Sequence, residues 1–188
     1  MSPIFLRYLS NILDISEELE AELAVKTHRV QTYKGQILLH TGQRCQDLYF
    51  VESGTLRGYY VEGGREITHS FSEKMEFVTC YYSFIALKPS YENIQALEDS
   101  TLIQISYSDL QHLYLKFPET ERLGRIITEK YYIQLEERLQ SLQFRTARER
   151  YDQFLQEKPS LLQRASLGQI ASYLGMTQET LSRIRAGK

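Results

Sequence analysis

Between residues 28 and 106 short apolar runs alternate with glycines at Gly35, Gly42, Gly54, Gly58, Gly63 and Gly64. Each glycine inside a helix costs about 1 kcal/mol relative to alanine, so this punctuation argues against a helical segment. The runs Tyr49–Val51, Gly58–Val61, Ile67–Phe71 and Leu102–Ile105 are rich in β-branched and aromatic residues, which suit a pleated, half-buried surface. Val61-Glu62-Gly63-Gly64-Arg65-Glu66 predicts a hairpin, because paired glycines accept positive φ without steric cost. Short strands at spacings near ten residues predict an all-β roll or barrel, with a simple two-sheet sandwich as the alternative.

Helical texture flanks this stretch. Residues 4–25 are predicted helical, with Leu19 and Leu23 one turn apart. A short helix is expected over 108–116, halted near Pro118. Residues 119–144 then predict one helix of about 26 residues, roughly 39 Å long. Leu123, Ile127, Tyr131, Leu135, Leu139 and Leu142 recur at spacings of three or four along it. A helix longer than a small domain, with a sustained apolar stripe, predicts pairing with a second copy through Ile127, Tyr131, Leu135, Leu139 and Leu142. Packing of the stripe on the β part is the alternative. Thr146-Ala-Arg-Glu149 is a capping box that starts a new helix over 147–157, and the joint at Phe144–Thr146 is a candidate hinge. The fold class expected is α+β. The parts are a β-roll effector domain with flanking helices over 1–118, a dimerisation helix over 119–145 and a helix-turn-helix domain over 146–188.

The last part rests on arithmetic. Ser166-Leu-Gly-Gln169 is a second capping box, opening a helix over 167–174 that Gly175 ends; Thr177 caps the next, over 178–186. With Leu167 as position 1, small Ala171 falls at position 5, where the second helix must approach closely. Gly175 falls at position 9, where the turn needs positive φ. Ile170, Leu174, Leu181 and Ile184 fill the space between the two helices. An ordinary αα-hairpin meets some of these requirements; a DNA-binding helix-turn-helix needs all of them at fixed offsets. The outward residues of the second helix are then Gln178, Glu179, Ser182 and Arg183. Arginine suits the O6/N7 edge of guanine and glutamate accepts from the amino group of cytosine, so these four are the candidate base readers. Thr177, Thr180, Arg185 and Lys188 are placed for phosphate contacts, which orient the protein without reading sequence.

Charge supports a two-part chain. Residues 1–119 carry 10 Lys and Arg against 16 Asp and Glu, a balance of −6; residues 120–188 carry 12 against 8, a balance of +4. An acidic front and a basic back suggest parts with different partners. Two cysteines, Cys45 and Cys80, form neither a disulfide framework nor a four-cysteine metal or iron–sulfur site. His28, His40, His69 and His112 lack metal-ligand spacing, so no metal is expected. The longest apolar runs are about four residues against the roughly 18 of a spanning helix, so no membrane segment is expected. The start, Met1-Ser-Pro-Ile-Phe-Leu-Arg-Tyr8, has no secretory pattern, and the cytoplasm is the default. No paired nucleophile and base, phosphate loop or metal cluster points to an enzyme.

A β-roll, a long helix and a C-terminal helix-turn-helix together resemble the Crp/Fnr family of bacterial transcription regulators, from about residue 20 onward. In the front half the resemblance lies in Lys34-Gly35-Gln36 and in Leu48-Tyr-Phe-Val-Glu-Ser-Gly-Thr-Leu-Arg57. In the back half it lies in Ile170-Ala-Ser-Tyr-Leu-Gly-Met-Thr-Gln-Glu-Thr-Leu-Ser-Arg-Ile-Arg185, where Glu-Thr-Leu-Ser-Arg matches the family's recognition helix. Ile94-Gln-Ala-Leu-Glu-Asp99 resembles the branch common in Bacteroidetes. The resemblance implies a homodimer on a two-fold symmetric double-stranded DNA site, with Glu179, Ser182 and Arg183 reading bases and RNA polymerase as a candidate partner. An interaction module whose output is protein contact is the alternative. Many family members continue past the second helix into a β wing; this sequence stops at Lys188, about one turn beyond, so either wing contacts are absent or the sequence is a truncated piece.

Family members that bind cyclic nucleotides carry Phe-x-Gly-Glu and, ten residues after the Glu, an Arg followed by a hydroxyl residue. Here Phe77-Val-Thr-Cys80 replaces the first, so Cys80 stands for the Glu; Ser90 stands for the Arg and Tyr91 for the hydroxyl residue. Both charged contacts are missing, and burying a phosphate without a paired cation is costly, so cAMP is not expected to bind. What remains is aromatic: Tyr59, Tyr60, Phe71, Phe77, Tyr81, Tyr82, Phe84 and Tyr91. An effector pocket for an apolar or aromatic molecule would use Tyr59, Phe71, Phe77, Thr79, Cys80, Tyr81, Tyr82, Ser90 and Tyr91. Equally, these rings fill the roll's core and no effector exists. Cys80 has no basic neighbour in sequence to make it a thiol sensor.

Overall fold

The structure, a computed structural model, describes residues 2–187. Its elements run α1 (Pro3–Ser10), α2 (Glu17–Lys26), β1 (Thr27–Thr32), β2 (Ile37–Leu39), β3 (Asp47–Ser53), β4 (Leu56–Glu62), β5 (Arg65–Ser72), β6 (Phe77–Val78), α3 (Tyr81–Ala86), β7 (Asn93–Ala96), β8 (Ser100–Ser106), α4 (Tyr107–Lys116), α5 (Pro118–Phe144), α6 (Ala147–Glu157), α7 (Leu161–Arg164), α8 (Leu167–Tyr173) and α9 (Gln178–Arg185).

The helix expected over 4–25 is two helices. Ser2 and Ser16 each accept a bond from the backbone N–H three residues on, so each starts its own helix. A straight helix over this span would be roughly 33 Å long and could not bring both ends onto the roll. The break lets Phe5 and Leu9 of α1 and Leu19 and Leu23 of α2 all enter one core. Ser16 also donates to Glu119 at 2.6 Å, tying the break to the first turn of α5.

Strands fall into two four-stranded sheets, ordered β1-β8-β3-β6 and β2-β7-β4-β5, with every pairing antiparallel. Their inner faces share a core in which Val51 and Leu102 of one sheet meet Leu56, Ile94 and Leu39 of the other, while Phe50 faces outward onto Phe5 and Tyr8 of α1. The roll is therefore built as two packed sheets. The glycine hairpin forms as expected, pairing Glu62 with Arg65 across Gly63 and Gly64, both at positive φ. One irregularity in β5 follows. Gly58 pairs with Ser70 but Tyr59 pairs with Thr68, so His69 is an extra, bulged residue, aimed differently from its neighbours.

The long helix forms over the expected span, but its stripe divides. Leu123 is buried in the roll's core and Tyr131 stacks on Tyr81 of α3, ring centroids 3.9 Å apart. Ile127 is half-buried beside them, turned toward its own chain. Leu135 and Leu139 are each 49% exposed, as are Tyr132 (59%) and Ile133 (57%). From Leu123 to Leu139 the stripe advances by successive spacings of four, each turning it about 40° around the axis, which is how its two halves come to face different directions.

A second core gathers Tyr151, Phe154, Leu161, Ile170, Ala171, Leu174 and Leu181 with Phe71 and Leu97 of the roll. The roll and the C-terminal helices thus meet along a seam. Thr68 N–H donates to Ser172 Oγ at 2.9 Å and Phe71 packs on Tyr173 at 5.1 Å. Lys158 lies 3.1 Å from Glu76, Arg164 lies 3.4 Å from both Glu73 and Glu98, and Ser160 donates to Glu73. Part of the opposite charge read along the sequence is thereby neutralised inside the chain.

Candidate nucleic-acid interface

Both capping boxes form, Thr146 with Glu149 and Ser166 with Gln169. Thr177 Oγ1 accepts from Thr180 N–H at 3.2 Å and starts α9. Gly175 takes φ +64° in the turn, and a Cβ there would meet Leu142 of α5 at 2.9 Å. Ile170, Ala171, Leu174 and Leu181 are buried between α8 and α9, with Ile184 half-buried. The two helices form a helix-turn-helix.

Gln178, Glu179, Ser182 and Arg183 are all exposed, as are Thr177 and Arg185, while Thr180 is half-buried. Among the described residues neither Arg183 nor Arg185 makes an ion pair. Glu179 accepts from its own N–H and from the Thr177 hydroxyl, with Arg183 nearby, which holds its carboxyl below the usual range. Lys188 lies outside the described residues.

Two arginines that the sequence did not single out hold this unit. Arg138 of α5 donates to Tyr173 O at 2.8 Å and lies 4.0 Å over the Tyr173 ring. Arg150 of α6 donates to Leu174 O at 2.7 Å and to Gly175 O at 3.3 Å. Cations on the last carbonyls of α8 satisfy acceptors the helix leaves open. No local pattern marks them, because their partners lie 24 to 35 residues away.

The nine residues expected around an effector do not line one space. Phe71 belongs to the seam, and Tyr59 lies under the Arg57 guanidinium, 4.1 Å from its ring centre. Phe77 packs on Phe5, Tyr8 and Phe50. Thr79 donates to Asp47 O at 2.9 Å, and Tyr81 stacks on α5. Cys80, Tyr82, Ser90 and Tyr91 gather, together with Tyr60, His69 and Glu92, while Phe77, Thr79 and Tyr81 line a separate cavity beneath α5. The Ser90 hydroxyl lies 3.3 Å from Cys80 Sγ and 2.8 Å from Glu92 O, and it accepts from Glu92 N–H at 3.0 Å. Glu92 is buried, with the imidazole of His69 against its carboxylate. Tyr60 stacks on His69 at 4.4 Å, and Tyr91 lies 5.6 Å from Tyr60 and 4.8 Å from Tyr82. Burial pushes the Cys80 thiol up to about 12, so it stays protonated and unreactive near neutral pH.

The cyclic nucleotide-binding domain model matches residues 29–117. The chain is 29% identical over 168 residues to the fumarate and nitrate reduction regulatory protein of Vibrio cholerae, and 30% identical over 164 residues to that of Escherichia coli strain K12. Each match covers 80% of this chain but 64% of the relative, so the chain spans less than two thirds of the length of these relatives. Among solved structures, FixK2 from Bradyrhizobium japonicum superposes with a TM-score of 0.74 at 21% identity, over 86% of this chain and 83% of that one. The c-di-GMP responsive global regulator CLP of Xanthomonas campestris gives 0.72 at 21% identity, over 92% and 91%. These two share the fold: roll, long helix and C-terminal helices in the same order. With the matched domain, the related regulators and the shared architecture together, the chain carries a cyclic nucleotide-binding domain and is related to the fumarate and nitrate reduction regulatory proteins.

Proposed function

We propose that this protein is a sequence-specific DNA-binding transcription regulator that acts as a homodimer in the cytoplasm, without catalytic activity and without control by cAMP. The observation that carries the reading is α9: a capped helix on a glycine turn, with Gln178, Glu179, Ser182 and Arg183 exposed and in no ion pair among the described residues. In this reading residues 1–118 form the effector unit, 119–145 the dimerisation helix and 146–188 the DNA-binding unit. RNA polymerase is its candidate protein partner.

A two-fold dimer would set two α9 helices about 34 Å apart, in successive major grooves. Arg183→Ala is expected to cost about 1–3 kcal/mol on a duplex selected from a random pool, and much less on a scrambled duplex. Arg185→Ala should weaken both alike and flatten the salt dependence, as a lost phosphate contact does. Glu179, repelled by phosphates, should act in discrimination, so Glu179→Ala should relax one base pair. Titrations of each variant against both duplexes at several salt concentrations test this. Equal losses on both duplexes for Arg183→Ala would remove it as a base reader.

Independence from cAMP is supported by charge at the gathered cluster. Where the family places a cationic partner for the phosphate, this chain has Ser90 bonded within its own loop, and the buried carboxylate of Glu92 stands close by. A cyclic phosphate there would meet the buried Glu92 carboxylate where the family offers a paired cation. Isothermal titration is expected to show cAMP and cGMP binding no tighter than millimolar, and a micromolar constant would overturn the assignment.

A further inference from the structure

A cavity of about 750 Å³ lies beneath the first turns of α5, between that helix, α4, α3 and the outer side of the roll; Thr79 and Tyr81 line it, and Cys80 and Ser90 do not. Its size falls in the range of small-molecule sites. Its inner wall is hydrocarbon and aromatic, from Phe5, Leu9, Phe77 and Phe84. Two features mark it as more than loose packing. Thr120 is 5% exposed, and its hydroxyl has no hydrogen-bond partner among the described residues. Leaving a buried hydroxyl unpaired costs about 1–3 kcal/mol, and Thr120 lines this cavity. Second, a Cβ at Gly124 would lie 2.3 Å from the Tyr114 hydroxyl, so the absence of a side chain at residue 124 lets that phenol lie against α5 at the cavity wall. Burial raises the Tyr81 and Tyr114 phenols above their ordinary range, so both remain neutral hydroxyls.

We propose that this cavity binds a neutral, largely hydrocarbon molecule bearing one hydroxyl or carbonyl group, which pairs with the Thr120 hydroxyl. The ligand is neutral because the inner wall carries hydroxyls and no charge, while the charged side chains Glu121, Arg122 and Arg125 stand exposed at the rim, where water screens them. Because α5 forms one wall, such a ligand would bridge the roll and the long helix. The site is distinct from the DNA interface and its occupancy is read without DNA, so failure of the DNA titrations would leave it untouched.

The test uses the full chain, the neutral fluorophore N-phenyl-1-naphthylamine, and 4-hexylphenol and hexylbenzene as competitors. Saturable binding of one fluorophore per chain is expected. 4-Hexylphenol should displace it about 5- to 10-fold more tightly than hexylbenzene, the worth of one hydrogen bond. Thr120→Val should abolish that preference, and Ile127→Trp, which fills the cavity from half-buried α5, should abolish fluorophore binding. Absent or unsaturable binding by the wild type overturns the proposal, as does full binding by a folded Ile127→Trp protein. If Ile127→Trp does not fold, the Thr120→Val comparison decides: an undiminished preference for the phenol overturns the proposal, and its loss upholds it.

Discussion

Leu139→Asp is expected to convert the protein in sedimentation experiments to a species of about 22 kDa, the mass of one chain, without lowering the helical signal. Leu139 is half exposed on the chain itself, so an aspartate there stays solvated and costs the isolated fold little. In a helix pair the same position would be covered, and a two-fold axis would bring two carboxylates together. Burying unpaired carboxylates costs several kcal/mol, and the apolar burial of two leucines is lost as well. At micromolar concentrations that is enough to separate most dimers. Leu135→Asp should behave alike, since Leu135 lies one turn away with the same exposure. Leu123→Asp is the contrast. Leu123 is buried in the roll's own core, so that variant should unfold rather than dissociate. If Leu135→Asp and Leu139→Asp both remain dimeric and folded, the chains meet elsewhere.

Gly54→Ala should destabilise the roll by about 3 kcal/mol or more. Gly54 links β3 to β4 at φ +99°, a conformation that L side chains rarely adopt. A Cβ there would lie 2.4 Å from Ser100 Cβ and 2.7 Å from its Cα, and Ser100 sits on the central strand β8, so backbone would have to move. Gly35→Ala separates the two effects: φ is +85° but nothing lies within 4 Å, so only the conformational cost of roughly 1–2 kcal/mol remains. Thermal unfolding should place Gly35→Ala between the wild type and Gly54→Ala. Equal midpoints for the two variants would show that contact with Ser100 adds nothing.

The elements that were legible in the sequence are those specified by local chemistry. Each capped helix from 147 onward follows from a hydroxyl and its partner three residues on, and the turn at Gly175 needs only its own φ. Strands β3, β4, β5 and β8 carry β-branched and aromatic runs. Strand β1, Thr-His-Arg-Val-Gln-Thr, lies at a sheet edge with one side exposed, so it carries no apolar run to mark it as a strand. Helix α3 was missed because Tyr-Tyr-Ser-Phe-Ile-Ala favours strands and its end is marked by Leu87 at φ +56° rather than by a glycine. The outward face of α9 could be listed from helical periodicity alone. The effector residues could not be grouped, because whether Phe71 faces the roll or Tyr173 depends on where the C-terminal helices dock, and no spacing in the chain encodes that.

The seam of Lys158 and Arg164 with Glu73, Glu76 and Glu98 has a consequence for how salt acts on the protein. These pairs are partly exposed, and screening weakens them at the same ionic strengths that weaken phosphate contacts. Added ions therefore reach two places at once: the DNA surface and the joint that fixes how α8 and α9 sit on the roll. Double-logarithmic plots of affinity against salt would then overcount phosphates, since part of the slope reports slackening of the joint. Glu73→Gln, which removes an acidic partner far from α9, should lower that slope without removing a single DNA contact.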